Sequence, residues 1–211
     1  MDLLETDPVT GKRTGLARTV RKALRAMRAS CVPFSVIGAT ALAVRGLPRM
    51  SRDLDLVVLV DDADVAIDAL RDAGLRASTP TYDDEGATEL IFVDPATGVE
   101  VDLLVAAGDP EATVIGEAQP TAVFGAAAPV ASLEHLLLLY LYSNQPRHLG
   151  DFASIAQSGR ADLKKAERSL ALMHPEMLTT YRRRVKEART PPAAAPRPPA
   201  RRSTPTRRRK G

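Results

Sequence analysis

Three aspartates give the first suggestion of chemistry. Asp53 and Asp55 sit two apart in the run Asp53-Leu54-Asp55-Leu56-Val57-Val58-Leu59-Val60, which has the strongest strand pattern in the chain. Side chains alternate along a strand, so the two carboxylates share one face while Leu54 and Leu56 take the other. Paired like charges repel unless a cation lies between them, and hard oxygen ligands select Mg²⁺ or Mn²⁺. On its own, an Asp-x-Asp more often reflects a turn cap beside a solvated strand end. Two further features favour the metal reading. Asp102 leads into another apolar run, Leu103-Leu104-Val105, which a neighbouring strand would bring beside the first pair. Gly38 stands between a short apolar run at 34–37 and a short helical segment, and a glycine there lets the backbone approach a phosphate.

Other polar residues are less specific. Arg49 and Arg52 flank the aspartate strand and suit phosphate groups. Arg147, His148 and Asp151 cluster after Pro146, with His148 and Asp151 three apart on one helix face. The better reading of that cluster is a helix start with a structural Asp151. His135 and His174 are isolated in helical segments and read as packing residues. The chain has no His-Glu-x-x-His, no Gly-Lys-Ser/Thr phosphate loop and no Gly-x-Gly-x-x-Gly, so zinc-protease, P-loop and Rossmann chemistry have no support.

The elements that must position these residues follow from periodicity. Residues 15–30 place Leu16, Val20, Leu24 and Met27 at helical spacing, opposite Arg and Lys. A strand at 34–37, a helix at 39–45 ended by Gly46-Leu47-Pro48, and the aspartate strand at 53–60 come next. Asp61 and Asp62 suit the start of a helix running to about Ala73, which Gly74 ends. Residues 79–86 are polar and turn-rich. Residues 89–93 and 99–105 read as two strands of a hairpin joined by a turn at 94–98. Signals are weak from there to about 131. Ser132 starts a Leu-rich helix, Pro146 breaks the chain, and three more helical segments cover 147–157, 162–173 and 175–188. A mixed α/β half thus precedes an all-helical half, an α+β arrangement.

Composition bounds the rest. The chain's 211 residues allow one full domain plus appendages. With no Trp and 4% aromatics, Leu, Val, Ile and Ala must fill the core. A single cysteine, Cys31, excludes an intrachain disulfide and a Cys-rich zinc cluster, and reads as a small buried residue before a strand. The longest apolar or aromatic run, 136–142, falls far short of the roughly 18–20 residues a membrane span needs. The first five residues lack the basic and apolar parts of a signal peptide. A soluble, cytoplasmic protein is the expectation. Residues 190–211 carry six Arg, one Lys and no acid, which leaves −4 for residues 1–189 out of a whole-chain +3. This Pro- and Arg-rich segment is expected to be a disordered basic tail that attracts polyanions. The organisation read from the sequence is a loose leader at 1–14, a first domain at 15–130, a helical region at 131–189 and the tail at 190–211.

The run Ile37-Gly38-Ala39-Thr40-Ala41, followed by Arg45-Gly46-Leu47-Pro48-Arg49-Met50-Ser51-Arg52-Asp53-Leu54-Asp55, resembles the signature of the polymerase-β-like nucleotidyltransferase superfamily, with Asp102 matching its third carboxylate. The form here is most similar to a small bacterial branch that includes the toxins of abortive-infection (type IV) toxin–antitoxin systems. The resemblance covers residues 32–105 closely and continues loosely to about 160. It implies a small mixed-sheet nucleotidyltransferase fold followed by a C-terminal helical bundle. It further implies transfer of a nucleoside monophosphate from an NTP to an acceptor hydroxyl, with Mg²⁺ or Mn²⁺ as cofactor. Asp53, Asp55 and Asp102 would be the catalytic and metal-binding residues, with Asp102 nearer the acceptor. Gly38, Ala39, Thr40, Arg49 and Arg52 would meet the nucleotide.

The chain departs from the family pattern at Ala39, where Gly or Ser is usual, and in having no Lys among Leu138-Leu139-Tyr140-Leu141. These departures motivate an alternative, a non-catalytic RNA- or protein-binding member of the fold. The sequence leaves the acceptor open among a tRNA end or other RNA, a protein side chain and a small molecule such as an aminoglycoside. It is also silent on any antitoxin partner.

Overall fold

The computed structural model describes residues 5–7, 10–47, 49–78, 81–82 and 88–190. The expected tail beyond Thr190 and much of the expected leader therefore lie outside the described residues.

Helix α1 (Gly15–Ala29) starts at Thr14, whose hydroxyl accepts from the Ala17 amide at 3.2 Å. Its buried stripe is Ala17, Val20, Ala23, Leu24 and Met27. Strand β1 (Ser35–Val36) leads through Ile37 into helix α2 (Gly38–Val44). Strand β2 (Asp53–Leu59) is followed by a 3₁₀ turn (Val60–Asp62) and helix α3 (Ala63–Asp72). Short strands β3 (Arg76–Ala77) and β4 (Thr81–Tyr82) precede β5 (Thr88–Val93) and β6 (Glu100–Ala106). The latter two form the expected hairpin, with the Asp94 carbonyl closing its turn by accepting from the Thr97 and Gly98 amides.

The stretch with weak sequence signals holds three elements: helix α4 (Asp109–Gly116) and strands β7 (Gln119–Val123) and β8 (Ala126–Val130). β7 and β8 pair through a two-residue loop, Phe124-Gly125, with both residues at positive φ, the turn geometry that suits a twisted hairpin. The Leu-rich helix α5 (Leu133–Tyr142) is capped by Ser132. Helices α6 (Pro146–Gln157), α7 (Leu163–Met173) and α8 (Leu178–Arg189) complete the chain, with a 3₁₀ turn (Pro175–Met177) before the last. α5 packs on α6 and α7, and α6 packs on α8.

The strands form one mixed sheet in the order β3-β5-β6-β2-β1-β8-β7, with β4 beside β5. β2 is central. It runs parallel to β6 and antiparallel to β1. Leu54 and Leu56 point into the continuous apolar core with Leu24, Val36, Leu103 and Leu136, which leaves the other face of β2 for its aspartates.

Cys31 differs from expectation. It is exposed, at φ 59°, because it follows the C-cap Ser30 of α1 and turns the chain out of the helix. The residues that enter the core before β1 are Val32 and Phe34. His135 is buried as a packing residue, with Nε2 3.4 Å from Glu117. His174 lies between helices, pairs with Glu176 at 2.9 Å and packs edge-on against Tyr142.

Candidate active site

The parallel pairing of β2 with β6 sets Asp55 directly opposite Asp102, and Asp53 opposite Glu100. Directly paired residues in a parallel ladder project to the same side, so all four carboxylates share one face of the sheet. Ile37 ties this face to the β1–α2 turn by donating its amide to the Asp55 carbonyl at 3.0 Å. Gly38 then turns at φ 63° over the Asp55 side chain. A Cβ at Gly38 would collide with the Asp55 carboxylate and lie 2.9 Å from its Cβ. A side chain is therefore excluded here on two grounds, close approach and left-handed backbone.

The electrostatics are those of crowded acids. Burial, then the charges of Asp53 and Asp102, push Asp55 up to about 7. Burial, then Glu89, Asp53 and Glu100, push Asp102 up to about 7. Arg147 opposes both shifts, and Arg49 opposes that of Asp55. Asp102 Oδ1 is buried without a hydrogen-bond partner, a condition that costs on the order of 1–3 kcal/mol and that a ligand would relieve. Asp53 accepts a close hydrogen bond from the Ser51 hydroxyl.

A hard divalent cation fits this donor set, since it would satisfy Asp102 Oδ1 and cancel the repulsion that raises both carboxyls. Among the described residues no three acidic, His or Cys side chains are gathered around one point. A bound ion would therefore have to draw the carboxylates together.

The remaining expected site residues divide. Arg49 lies near enough to Asp55 to oppose its shift and pairs with Asp151 Oδ2 at 3.3 Å. Arg52 is exposed beside it. Ala39 and Thr40 bury their side chains, at 1% and 4% exposure, so the Thr40 hydroxyl is not offered to a ligand in the cleft. Any contact these two make with a nucleotide falls to their backbone. α6 brings Arg147 near Asp55, and Asp151 on the same helix has the structural role of an ion-pair partner for Arg49. Burial and the two arginines hold His148 down at about 4, so the imidazole is neutral at pH 7, with Nδ1 2.7 Å from the Ser143 hydroxyl.

Sequence reading missed Glu89, Glu100 and Tyr140. Glu100 was detectable, because it stands two before Asp102 and so shares its face. Tyr140 was signalled only by being polar within an apolar helix.

No protein-family model and no curated protein matches the chain. Solved structures do. The antibiotic-resistance factor ANT(2'')-Ia in its solution structure aligns with TM-score 0.53 and 17% identity, over 81% of this chain and 93% of that one. Its crystal structure with adenylyl-2''-tobramycin gives TM-score 0.54 and 18% identity, over 81% and 99%. The chain therefore has the mixed α/β fold of the nucleotidyltransferases, as the sequence implied. Among the described residues no helix is long and apolar enough to cross a membrane.

Proposed function

We propose that this protein is a metal-dependent nucleotidyltransferase that moves a nucleoside monophosphate from an NTP to an acceptor hydroxyl. The observation that carries the reading is the in-register pairing of Asp55 with Asp102, with Asp53 on the same face and Gly38 packed against Asp55. A fold shared with ANT(2'')-Ia is consistent with it.

In the reaction the acceptor oxygen bonds to the α-phosphorus, the bond from that phosphorus to the β-phosphate oxygen breaks, and pyrophosphate leaves. Asp53, Asp55 and Asp102 would hold Mg²⁺ or Mn²⁺, which supplies the charge that neutralises the triphosphate and acidifies the acceptor hydroxyl. Asp102, with a buried oxygen free of hydrogen bonds, would take the acceptor's proton. Gly38 lets the β1–α2 backbone pack against the Asp55 side chain, and the Arg49 guanidinium would offer N–H donors to a phosphate.

The acceptor classes to test are RNA, protein and aminoglycoside, the last because the compared crystal structure holds adenylylated tobramycin. A toxin role would appear as labelling of an essential RNA or protein. The protein is incubated with each α-labelled NTP, Mg²⁺ or Mn²⁺, and total RNA, cell protein or an aminoglycoside panel. Metal-dependent label in one fraction is the expected result. The absence of label in every fraction, together with no effect of either metal on melting temperature, would instead favour a binding module that keeps the fold.

A further inference from the structure

Helix α1 carries five basic residues, Arg18, Arg21, Lys22, Arg25 and Arg28, and no acid. Residues 1–189 together carry −4, so this positive charge is a local concentration. At about 100° per residue the four arginines fall within about 80° of the helix circumference, and Arg18 to Arg28 spans about 15 Å along its axis. Lys22 lies to one side of them, where its Nζ meets the buried Asp94 at 2.8 Å. Among the described residues no ion pair joins any of the four arginines to a carboxylate.

Three of the arginines are held by backbone carbonyls instead. Arg18 Nη1 donates to Arg13 at 2.7 Å, Arg21 Nη1 to Phe124 at 2.8 Å and Arg28 Nη1 to Ala127 at 3.4 Å. Each contact uses one of the five N–H donors of a guanidinium, so the groups are positioned with most donors unused. A groove of about 390 Å³ separates α1 from the β7–β8 hairpin, with Arg21, Arg25 and Arg28 on one side and Gly125, Ala126 and Ala127 on the other. No acid lines it, and Glu5 approaches Gly125 from outside. The groove on the other flank of α1, toward α3, holds Asp68 and Asp72. An anion is therefore drawn to the hairpin side.

A straight row of guanidiniums beside an acid-free groove is complementary to a chain of phosphates. At one phosphate per roughly 3.4 Å of strand, the row spans about four. The apolar stripe of α1 is buried in the core, so the helix cannot insert into a lipid surface. A groove walled on both sides suits one strand better than a duplex. The Phe124 and Ala127 carbonyls each keep a second lone pair, which a ribose 2′-hydroxyl can use and deoxyribose cannot.

We infer that α1 and the β7–β8 hairpin form a docking surface for single-stranded RNA, with Arg18, Arg21, Arg25 and Arg28 on its phosphates. The surface contributes no residue to the acidic cluster, so the inference stands apart from the nucleotidyl-transfer reading.

The test is fluorescence anisotropy of the full chain with a labelled single-stranded RNA of mixed sequence, over a range of salt concentrations. Wild type is compared with Arg18→Gln/Arg25→Gln/Arg28→Gln and with a charge-matched control, Arg76→Gln/Lys164→Gln/Arg189→Gln. All six side chains are exposed, and the basic segment after Thr190 is common to every protein tested. The α1 triple variant should bind at least about tenfold more weakly at low salt. Its plot of log affinity against log salt should be shallower by about 2, from roughly 0.7 for each lost phosphate contact. The control should stay within about threefold of wild type and keep its slope. Arg25→Gln alone, which removes no ion pair, should make the slope shallower by about 0.7, and it decides the matter if the triple variant does not fold. A DNA strand of the same sequence should bind wild type more weakly than the RNA does. An unchanged slope in either α1 variant, or a control that falls as far as the triple variant, would overturn the inference. So would a wild type that binds the DNA strand as tightly as the RNA, or that leaves the RNA unbound, whether or not it binds phosphatidylserine vesicles.

Discussion

Gly38 and Asp55 are in contact across the β1–α2 turn, with the glycine backbone against the carboxylate and no space for a β-carbon between them. The turn and the acid strand are thereby one unit, joined also by the Ile37 amide to the Asp55 carbonyl. Gly38→Ala should break that unit. Its left-handed φ alone costs about 1–2 kcal/mol for a residue with a side chain, and the clash adds to this. The expected result is a folded but destabilised protein that has lost nucleotide transfer. Thermal unfolding and a labelled-NTP assay read the two effects, and a variant with wild-type transfer would show that Asp55 does not need this position.

The acid cluster makes a pH-dependent stability prediction. Asp55 and Asp102 have folded-state values near 7, against an ordinary value near 4 in the unfolded chain. The folded state therefore binds more protons than the unfolded state between those values. Their contribution is fully present below pH 4 and is lost as pH rises through 7. In metal-free buffer, Asp55→Asn should be more stable than wild type at pH 8, by roughly 1–4 kcal/mol, and the gap should close toward pH 4. Urea unfolding at pH 4, 6 and 8 measures it. A gap that widened toward low pH would contradict the crowding described here.

Metal should reverse this order. A cation that binds only the folded state raises its stability, and it does so through the groups that repel in its absence. Mg²⁺ or Mn²⁺ should raise the melting temperature of wild type and raise that of Asp53→Asn, Asp55→Asn or Asp102→Asn much less. The same variants should lose transfer by at least about 100-fold, the scale of removing an electrostatic catalytic group. Binding should release protons near pH 7, detectable as a buffer-dependent enthalpy. Near wild-type transfer in any of the three would refute its assigned role.

These relationships were unequally legible in the sequence. The Asp53/Asp55 pair, the β5–β6 hairpin and the helical half follow from alternation, turn residues and 3.6-residue periodicity. That Asp102 would come beside the pair was expected from its matching strand, but the register that sets it opposite Asp55 was not, because they are 47 positions apart and a parallel register is set by the packing of the whole sheet. The β7–β8 hairpin escaped notice for a different reason. Apart from Thr121 and the terminal Val123 and Val130, its strands are built from Ala, Pro and Gln, with Pro120 opposite Pro129, a composition with little strand preference. Its turn carries a buried Phe124 at φ 46°, where Asn or Gly would have signalled the bend. The motif around Gly38 likewise gave no sign that Thr40 is buried, at 4% exposure.

Cys31 offers a test of the backbone that is independent of function. It follows Ser30, the C-cap of α1, and occupies the left-handed position where helices commonly end in glycine. Val32, next in the chain, is buried at 8% exposure, in the place of the apolar residue that often accompanies this cap. The thiol points outward, and only a weak contact with the Ala29 carbonyl at 4.0 Å would be lost on its removal. Cys31→Gly should therefore stabilise the protein by about 0.5–1 kcal/mol, as relief of the left-handed strain outweighs the greater freedom of glycine in the unfolded chain. Cys31→Val should destabilise it, since a β-branched residue tolerates positive φ least. Native wild type should also react with a maleimide at the rate of an exposed thiol, without denaturant. Slow labelling, or a glycine variant less stable than the valine one, would place Cys31 in the core that the sequence alone suggested.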